Sequence, residues 1–105
     1  MKNLIELMNE HIDNFDLNID FLASEMGMSR TVFFNKLKSL TGFSPVEFVR
    51  EMRIERAADY IRNTSYTVSE ISFRVGIEDP RYFSRCFKLK YGMTPSEYRA
   101  KQTNQ

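Results

Sequence analysis

The chain is poor in the residues that most enzymes, secreted domains and metal sites depend on. Its 105 residues include one Cys (Cys86), one His (His11) and no Trp. A single Cys excludes an internal disulfide, and one Cys with one His cannot furnish a zinc site of ordinary ligand count. No apolar run approaches the ~20 residues of a membrane span, and the first residues lack the apolar core of a signal peptide. Charge of one sign is also missing. Fifteen Lys and Arg face fourteen Asp and Glu, for a net charge of +1. As a total, that balance points to no polyanionic partner. Glycines (Gly27, Gly42, Gly76, Gly92) and prolines (Pro45, Pro80, Pro95) are few. With 42% apolar and 28% charged residues, the composition is that of a soluble globular chain, expected in the cytoplasm, forming one domain or two very small ones.

The few glycines and prolines are not scattered. Gly42, Pro45 and Glu47 recur as Gly92, Pro95 and Glu97 at an offset of 50, and Phe33 and Lys38 recur as Phe83 and Lys88. Upstream, Ile19, Leu22 and Gly27 recur as Val68, Ile71 and Gly76 at an offset of 49. The second copy therefore carries one extra residue between its first glycine and its Phe. Such an insertion is cheap in a turn, whereas inside a helix it would rotate a face. Each copy is short for a core of its own, and two copies are too few for a solenoid.

The pattern is all-α. No stretch alternates apolar and polar residues, and no Asn-Gly or Asp-Gly hairpin signal occurs. Ser44 to Glu47, Thr67 to Glu70 and Thr94 to Glu97 each read as a capping box at a helix start. Pro45 and Pro95 follow their caps, where a missing N–H costs nothing, and Asp79-Pro80 repeats the signal. Ser29 is a further candidate cap. Seven helices are expected, near 3–14, 19–26, 30–41, 45–62, 68–75, 80–91 and 95–101, with a polar tail at 101–105 expected to fray. The fourth, carrying Val46, Phe48, Val49, Met52, Ile54, Ala57, Ala58 and Ile61, is apolar on more than one face, as for a helix buried between two subdomains. The division expected is 1–43, a linker helix at 44–63, and 64–105.

Residues 19–40 and 68–90 share one plan: a short helix, a turn with glycine, a second helix. That is the helix-turn-helix plan, in which the second helix can enter a DNA major groove. Ala23 and Ser72 are small residues where the paired helices could approach closely. On the second helix of the first copy, Phe33, Leu37 and Leu40 are spaced to face a core, with Thr31, Phe34, Asn35 and Lys38 opposite. On that of the second copy, Phe83, Cys86 and Phe87 face inward, and Arg81, Ser84, Arg85 and Lys88 outward. Arg can bond guanine and Asn adenine in bidentate fashion, while Lys reaches phosphates. Exposed Lys and Arg are usually just solvated, but two equivalent helices in a duplicated unit favour DNA. Phe34 is open to two readings, contact with a thymine methyl or sugar, or packing on a neighbouring helix.

These residues resemble the DNA-binding domain of the AraC/XylS family of bacterial transcription regulators. The resemblance runs from about Ile19 to Arg99. Its most specific stretch is residues 69–88, Ser-Glu-Ile-Ser-Phe-Arg-Val-Gly-Ile-Glu-Asp-Pro-Arg-Tyr-Phe-Ser-Arg-Cys-Phe-Lys, followed by Tyr-Gly-Met-Thr-Pro-Ser-Glu-Tyr at 91–98. The first unit is similar to the version in two-component response regulators, above all the output domain of Bacteroidetes hybrid sensor-regulators. Arg53 to Ile61 resembles the family's linker helix. Ile77, Ser72, Asn35 and Phe34 stand where the family usually has Phe, Ala, a basic residue, and Tyr or a small polar residue.

The resemblance implies two recognition helices, about 30–41 and 80–91, reading successive major grooves of double-stranded DNA. An 18-residue helix makes a rod of about 27 Å against a groove spacing of about 34 Å. The implied contact residues are Arg30, Thr31, Phe34, Asn35 and Lys38 in the first unit, and Pro80, Arg81, Ser84, Arg85 and Lys88 in the second. Arg81, Arg85 and Asn35 are expected at base edges, and Lys38 and Lys88 at phosphates. The resemblance also allows RNA polymerase as a second partner, and two settings: the output domain of a larger signalling protein, with residues 1–18 as the junction, or one of the small monomeric family members, whose activity follows from abundance. Neither membrane contact nor a small-molecule ligand is expected of this segment.

An enzyme has little support. His11 has no nucleophile pattern near it, the glycines are isolated rather than grouped in a phosphate loop, and Cys86 reads as a small buried hydrophobe. No catalytic residue, metal or cofactor is expected. A helical protein–protein adaptor is the alternative. The charge distribution favours DNA. Residues 1–27 hold one Lys against six acids, a net −5, while 28–53 hold five bases against two acids and 70–105 seven against four, +3 each. Both positive blocks contain a proposed recognition helix.

Overall fold

The structure, a computed structural model, describes residues 3–14 and 17–103. Met1, Lys2, Phe15, Asp16, Asn104 and Gln105 lie outside them, and with them parts of the expected junction and tail. The described residues form seven α-helices: α1 (Leu4–His11), α2 (Ile19–Glu25), α3 (Arg30–Thr41), α4 (Pro45–Asn63), α5 (Val68–Arg74), α6 (Pro80–Tyr91) and α7 (Pro95–Thr103). They belong to two compact units, Met1–Met52 and Arg53–Gln105, whose boundary falls within α4.

Local chemistry sets the helix starts. All three capping boxes form. Ser44 N–H donates to Glu47 Oε1 at 2.9 Å and Glu47 N–H to Ser44 Oγ at 3.3 Å. The reciprocal bonds are 3.2 and 3.1 Å for Thr67 and Glu70, and 2.8 and 3.2 Å for Thr94 and Glu97. Bonds from the Ser44, Thr67 and Thr94 backbone, then from their side chains, hold the three carboxyls below their ordinary pKa of 4.5. Two caps went unread in the sequence: Asn3 and Asn18 accept the Glu6 and Phe21 N–H groups at 2.9 and 2.7 Å.

In the first unit Leu7, Met8, Leu22, Ala23, Phe33, Leu37 and Val49 form the core. In the second, Ile54, Ala57, Ala58 and Ile61 of α4 join Ile71, Val75, Ile77, Phe83 and Phe87. Each part of α4 thus serves its own unit's core. An aromatic group closes the second: Tyr98 of α7 meets Phe87 edge-on at 5.4 Å, with Tyr91 5.5 Å away. Arg62 of α4 donates to the Tyr98 hydroxyl at 2.8 Å, and Arg99 to the Tyr66 and Thr64 carbonyls.

Four expectations need correction. α1 ends at His11 rather than near 14, because the His11 carbonyl takes the Asn14 N–H in a tight turn at 3.0 Å. α7 continues to Thr103, so residues 101–103 are helical rather than frayed; the Tyr98 and Arg99 contacts secure its middle. Leu40 is 75% exposed and Val46 63% exposed, where both were expected to pack inward. Phe33 and Leu37 complete α3's inward stripe, and the next position on that face, Thr41, turns its hydroxyl onto the Leu37 carbonyl at 2.7 Å. Val46 stands in the first turn of α4, ahead of the buried Val49.

Candidate nucleic-acid interface

The paired helices in both units are joined by the same device. Gly27 and Gly76 adopt φ of +71° and +83°, the left-handed region that only glycine enters without strain. Met28 N–H reaches the Ala23 carbonyl at 2.9 Å, and Ile77 N–H the Ser72 carbonyl at 2.9 Å. This six-residue closure is a Schellman-type helix end. It turns the chain within four residues between α2 and α3 and five between α5 and α6, so the inserted residue of the second copy does fall in the turn. Ser72, fully buried, adds a bond that the sequence does not announce, its Oγ donating to the Ile77 carbonyl at 2.7 Å.

The second helix of each pair starts on a side-chain cap and ends on glycine. Ser29 Oγ accepts the Val32 N–H at 3.2 Å, and Asp79 accepts the Arg81 N–H at 2.9 Å. At the other end, Gly42 and Gly92 donate to the Lys38 and Lys88 carbonyls, each at 2.8 Å. The Asp79 carboxylate is thereby engaged with its own helix start.

With Phe33, Leu37, Phe83 and Phe87 turned into the cores, the opposite faces are left to solvent. On α3 those residues are Arg30, Thr31, Phe34, Asn35 and Lys38, all exposed. Phe34 is 45% exposed, which takes it off the core and onto the polar face. On α6, Arg81, Arg85 and Lys88 are exposed, while Pro80 and Ser84 are half-buried. Cys86 is half-buried against the second core. The expected residues of each unit are therefore together on one helix face.

The two faces differ in how their cations are partnered. Arg30 lies 3.5 Å from Asp20 of α2, and Lys38 lies 3.9 Å from Glu47 of α4, with all four side chains well exposed. Among the described residues no acid lies within ion-pair distance of the Arg81 or Arg85 side chains. Sequence reading missed the acids beside Arg30 and Lys38. For Lys38 a signal existed: both Lys38 with Glu47 and Lys88 with Glu97 recur in the repeat.

Among the described residues, no group of three or more His, Cys, Asp or Glu could hold a metal, and no helix is long and apolar enough to cross a membrane. Shallow clefts beside α1 and α2, about 290 and 240 Å³, share His11 and Phe21.

Two glycine-turned helix pairs, each presenting a capped and partly basic second helix, define the class of double helix-turn-helix DNA-binding domains. The family model described as a helix-turn-helix domain matches residues 22–101. The chain belongs to that family, in its AraC/XylS type. It is 36% identical over its whole length to histidine kinase P4 of Formosa agariphila, of which it spans 8%. To the regulatory protein SoxS of Salmonella typhimurium it is 33% identical over 94% of this chain and 92% of that one. In structure it is similar to the DNA-binding domain of AdpA, a global transcriptional factor solved in complex with a target DNA. That likeness has a TM-score of 0.88 at 27% identity, covering 96% of this chain and 90% of that one.

Proposed function

We propose that this domain recognises a specific double-stranded DNA sequence with α3 and α6 in successive major grooves, joined by α4 as the linker helix. The observation that carries this is the duplicated, capped second helix whose outward face holds Arg, Lys and Asn beside a buried aromatic stripe. Arg81 and Arg85 have the donor geometry for guanine edges, and Asn35 for adenine. Lys38 and Lys88, one turn from the helix C-termini, suit phosphates. Arg30, Thr31, Phe34, Pro80 and Ser84 complete the two contact faces, and Phe34, being exposed, suits a thymine methyl or sugar.

The likeness to a short segment of a large histidine kinase supports a place as the cytoplasmic output domain of a larger signalling protein. RNA polymerase is the second partner that this reading carries, for an activator. Selection from a pool of random duplex DNA, repeated at several salt concentrations, tests the proposal. An enriched motif whose affinity falls steeply with salt is expected; no enrichment and no salt dependence would overturn it.

A further inference from the structure

The two lysines assigned to phosphates share a neighbour that the repeat duplicates. Lys38 Nζ lies 3.9 Å from Glu47 Oε1, the same oxygen that accepts the Ser44 N–H at 2.9 Å to cap α4. Fifty residues on, Glu97 Oε1 caps α7 by accepting the Thr94 N–H at 2.8 Å. Thr94's backbone and side-chain bonds are the main cause of the lowered Glu97 carboxyl, and the charge of Lys88 adds a smaller lowering, although Lys88 and Glu97 stand outside ion-pair distance, so the contact seen at Lys38 is the closer of the two.

A lysine beside a carboxylate fixed in a helix cap gives less of its charge to a phosphate. The carboxylate shares the ammonium and repels the incoming anion. The capping bonds prevent it from swinging away, because doing so would strip a helix N-terminus of its partner. By contrast, Arg81 and Arg85 have no such acid among the described residues. The first unit adds Asp20 beside Arg30, in the same sense.

We propose that Glu47 and Glu97, besides capping α4 and α7, act as built-in competitors of DNA phosphate for Lys38 and Lys88. They hold down the sequence-independent part of DNA affinity and leave base readout to Asn35 and to Arg81 and Arg85, which have no acid within ion-pair distance among the described residues. The inference rests on the reading of Lys38 and Lys88 as phosphate contacts.

The test uses Glu47→Gln and Glu97→Gln in the full 105-residue chain. A Gln amide oxygen can still accept the capping N–H, so the cap is kept and the charge is lost. Affinity is measured for a duplex of random sequence and for the duplex selected above, across a range of salt. Each variant is expected to bind both duplexes roughly two- to tenfold more tightly at low salt, with the gain shrinking as salt rises. In a Lys38→Ala background the gain from Glu47→Gln should disappear. Unchanged or weaker binding by variants whose unfolding midpoint is unchanged would overturn the proposal, as would a gain undiminished in Lys38→Ala. Since the caps lie in separate units, either variant serves if the other fails to fold. Lys38→Ala alone separates the two readings. If it leaves affinity and salt slope unaltered, the phosphate assignment falls; if it weakens binding while Glu47→Gln does nothing, only the competition falls.

Discussion

Arg85 and Lys88 stand nearly one turn apart on the exposed face of α6, and their removal should have different consequences. Arg85→Ala is expected to lose discrimination at one base position, by about 1–3 kcal/mol, and to spare the others. Lys88→Ala should weaken binding evenly across sequences and reduce the salt slope by about 1. Binding titrations on duplexes with single base changes, at several salt concentrations, separate the two. Inside the second unit, Ser72 is the residue whose role the sequence hides. A small side chain is what close helix approach requires, and alanine would meet that need equally well. The structure shows that the hydroxyl also closes the turn onto the Ile77 carbonyl. Ser72→Ala should therefore cost about 1 kcal/mol in urea unfolding, the net worth of a hydrogen bond, with no direct effect on DNA contacts. Leu40 teaches the opposite lesson. Helical spacing after Phe33 and Leu37 invites a core position, yet the matching residue of the second copy is Lys90, a sign in the repeat itself that this position faces water.

The helices owe their boundaries to interactions within a few residues, which is why they could be read from the sequence. Ser44, Thr67 and Thr94 each bond a Glu three residues on, and proline after the first and third caps costs no bond. Thr67→Ala should cost about 0.5–2 kcal/mol of stability by equilibrium unfolding. The three capping carboxyls also predict a pH dependence. Their folded pKa values lie below the ordinary 4.5, so they bind protons less readily folded than unfolded. Their contribution is complete above 4.5 and is lost as pH falls through the lowered folded values. Urea midpoints should therefore drop more steeply on acidification below 4.5 for the native chain than for a variant with Gln at 47, 70 and 97; parallel curves would refute the assignment. The turns follow the same local logic. Gly27 has φ +71°, and a Cβ there would meet nothing within 4 Å, so its need is conformational alone. Gly27→Ala should cost about 1–2 kcal/mol, the strain of a left-handed Cβ-bearing residue. The local rule failed at the end of α1, where a turn from His11 to Asn14 replaces the expected last turn, and at α7, whose extra residues follow from a helix held by Tyr98 and Arg99.

For the whole molecule, a near-neutral chain that binds DNA must do so through the placement of its charge rather than the amount. The acids concentrate in residues 1–27, and each +3 block carries one of the two proposed recognition helices. Hydroxyl-radical footprinting on a selected duplex should show two protected stretches about one helical turn apart. One stretch alone would mean that only one unit reads DNA. The duplication, the seven helices, their caps other than Asn3 and Asn18, the glycine turns, and the outward residues of α3 and α6 other than Leu40 were legible in the sequence alone. Each is set by backbone needs met within a few residues, or by a periodicity that a helix obeys wherever it sits. The tertiary structure alone decided that Val46 stays in water, that the Ser72 hydroxyl locks a turn, and that Asp20 stands beside Arg30, and it gave meaning to the signs that the repeat carries at Leu40 and Glu47. These depend on which side chains from different elements come within a few ångströms of one another, a distance that local pattern does not encode.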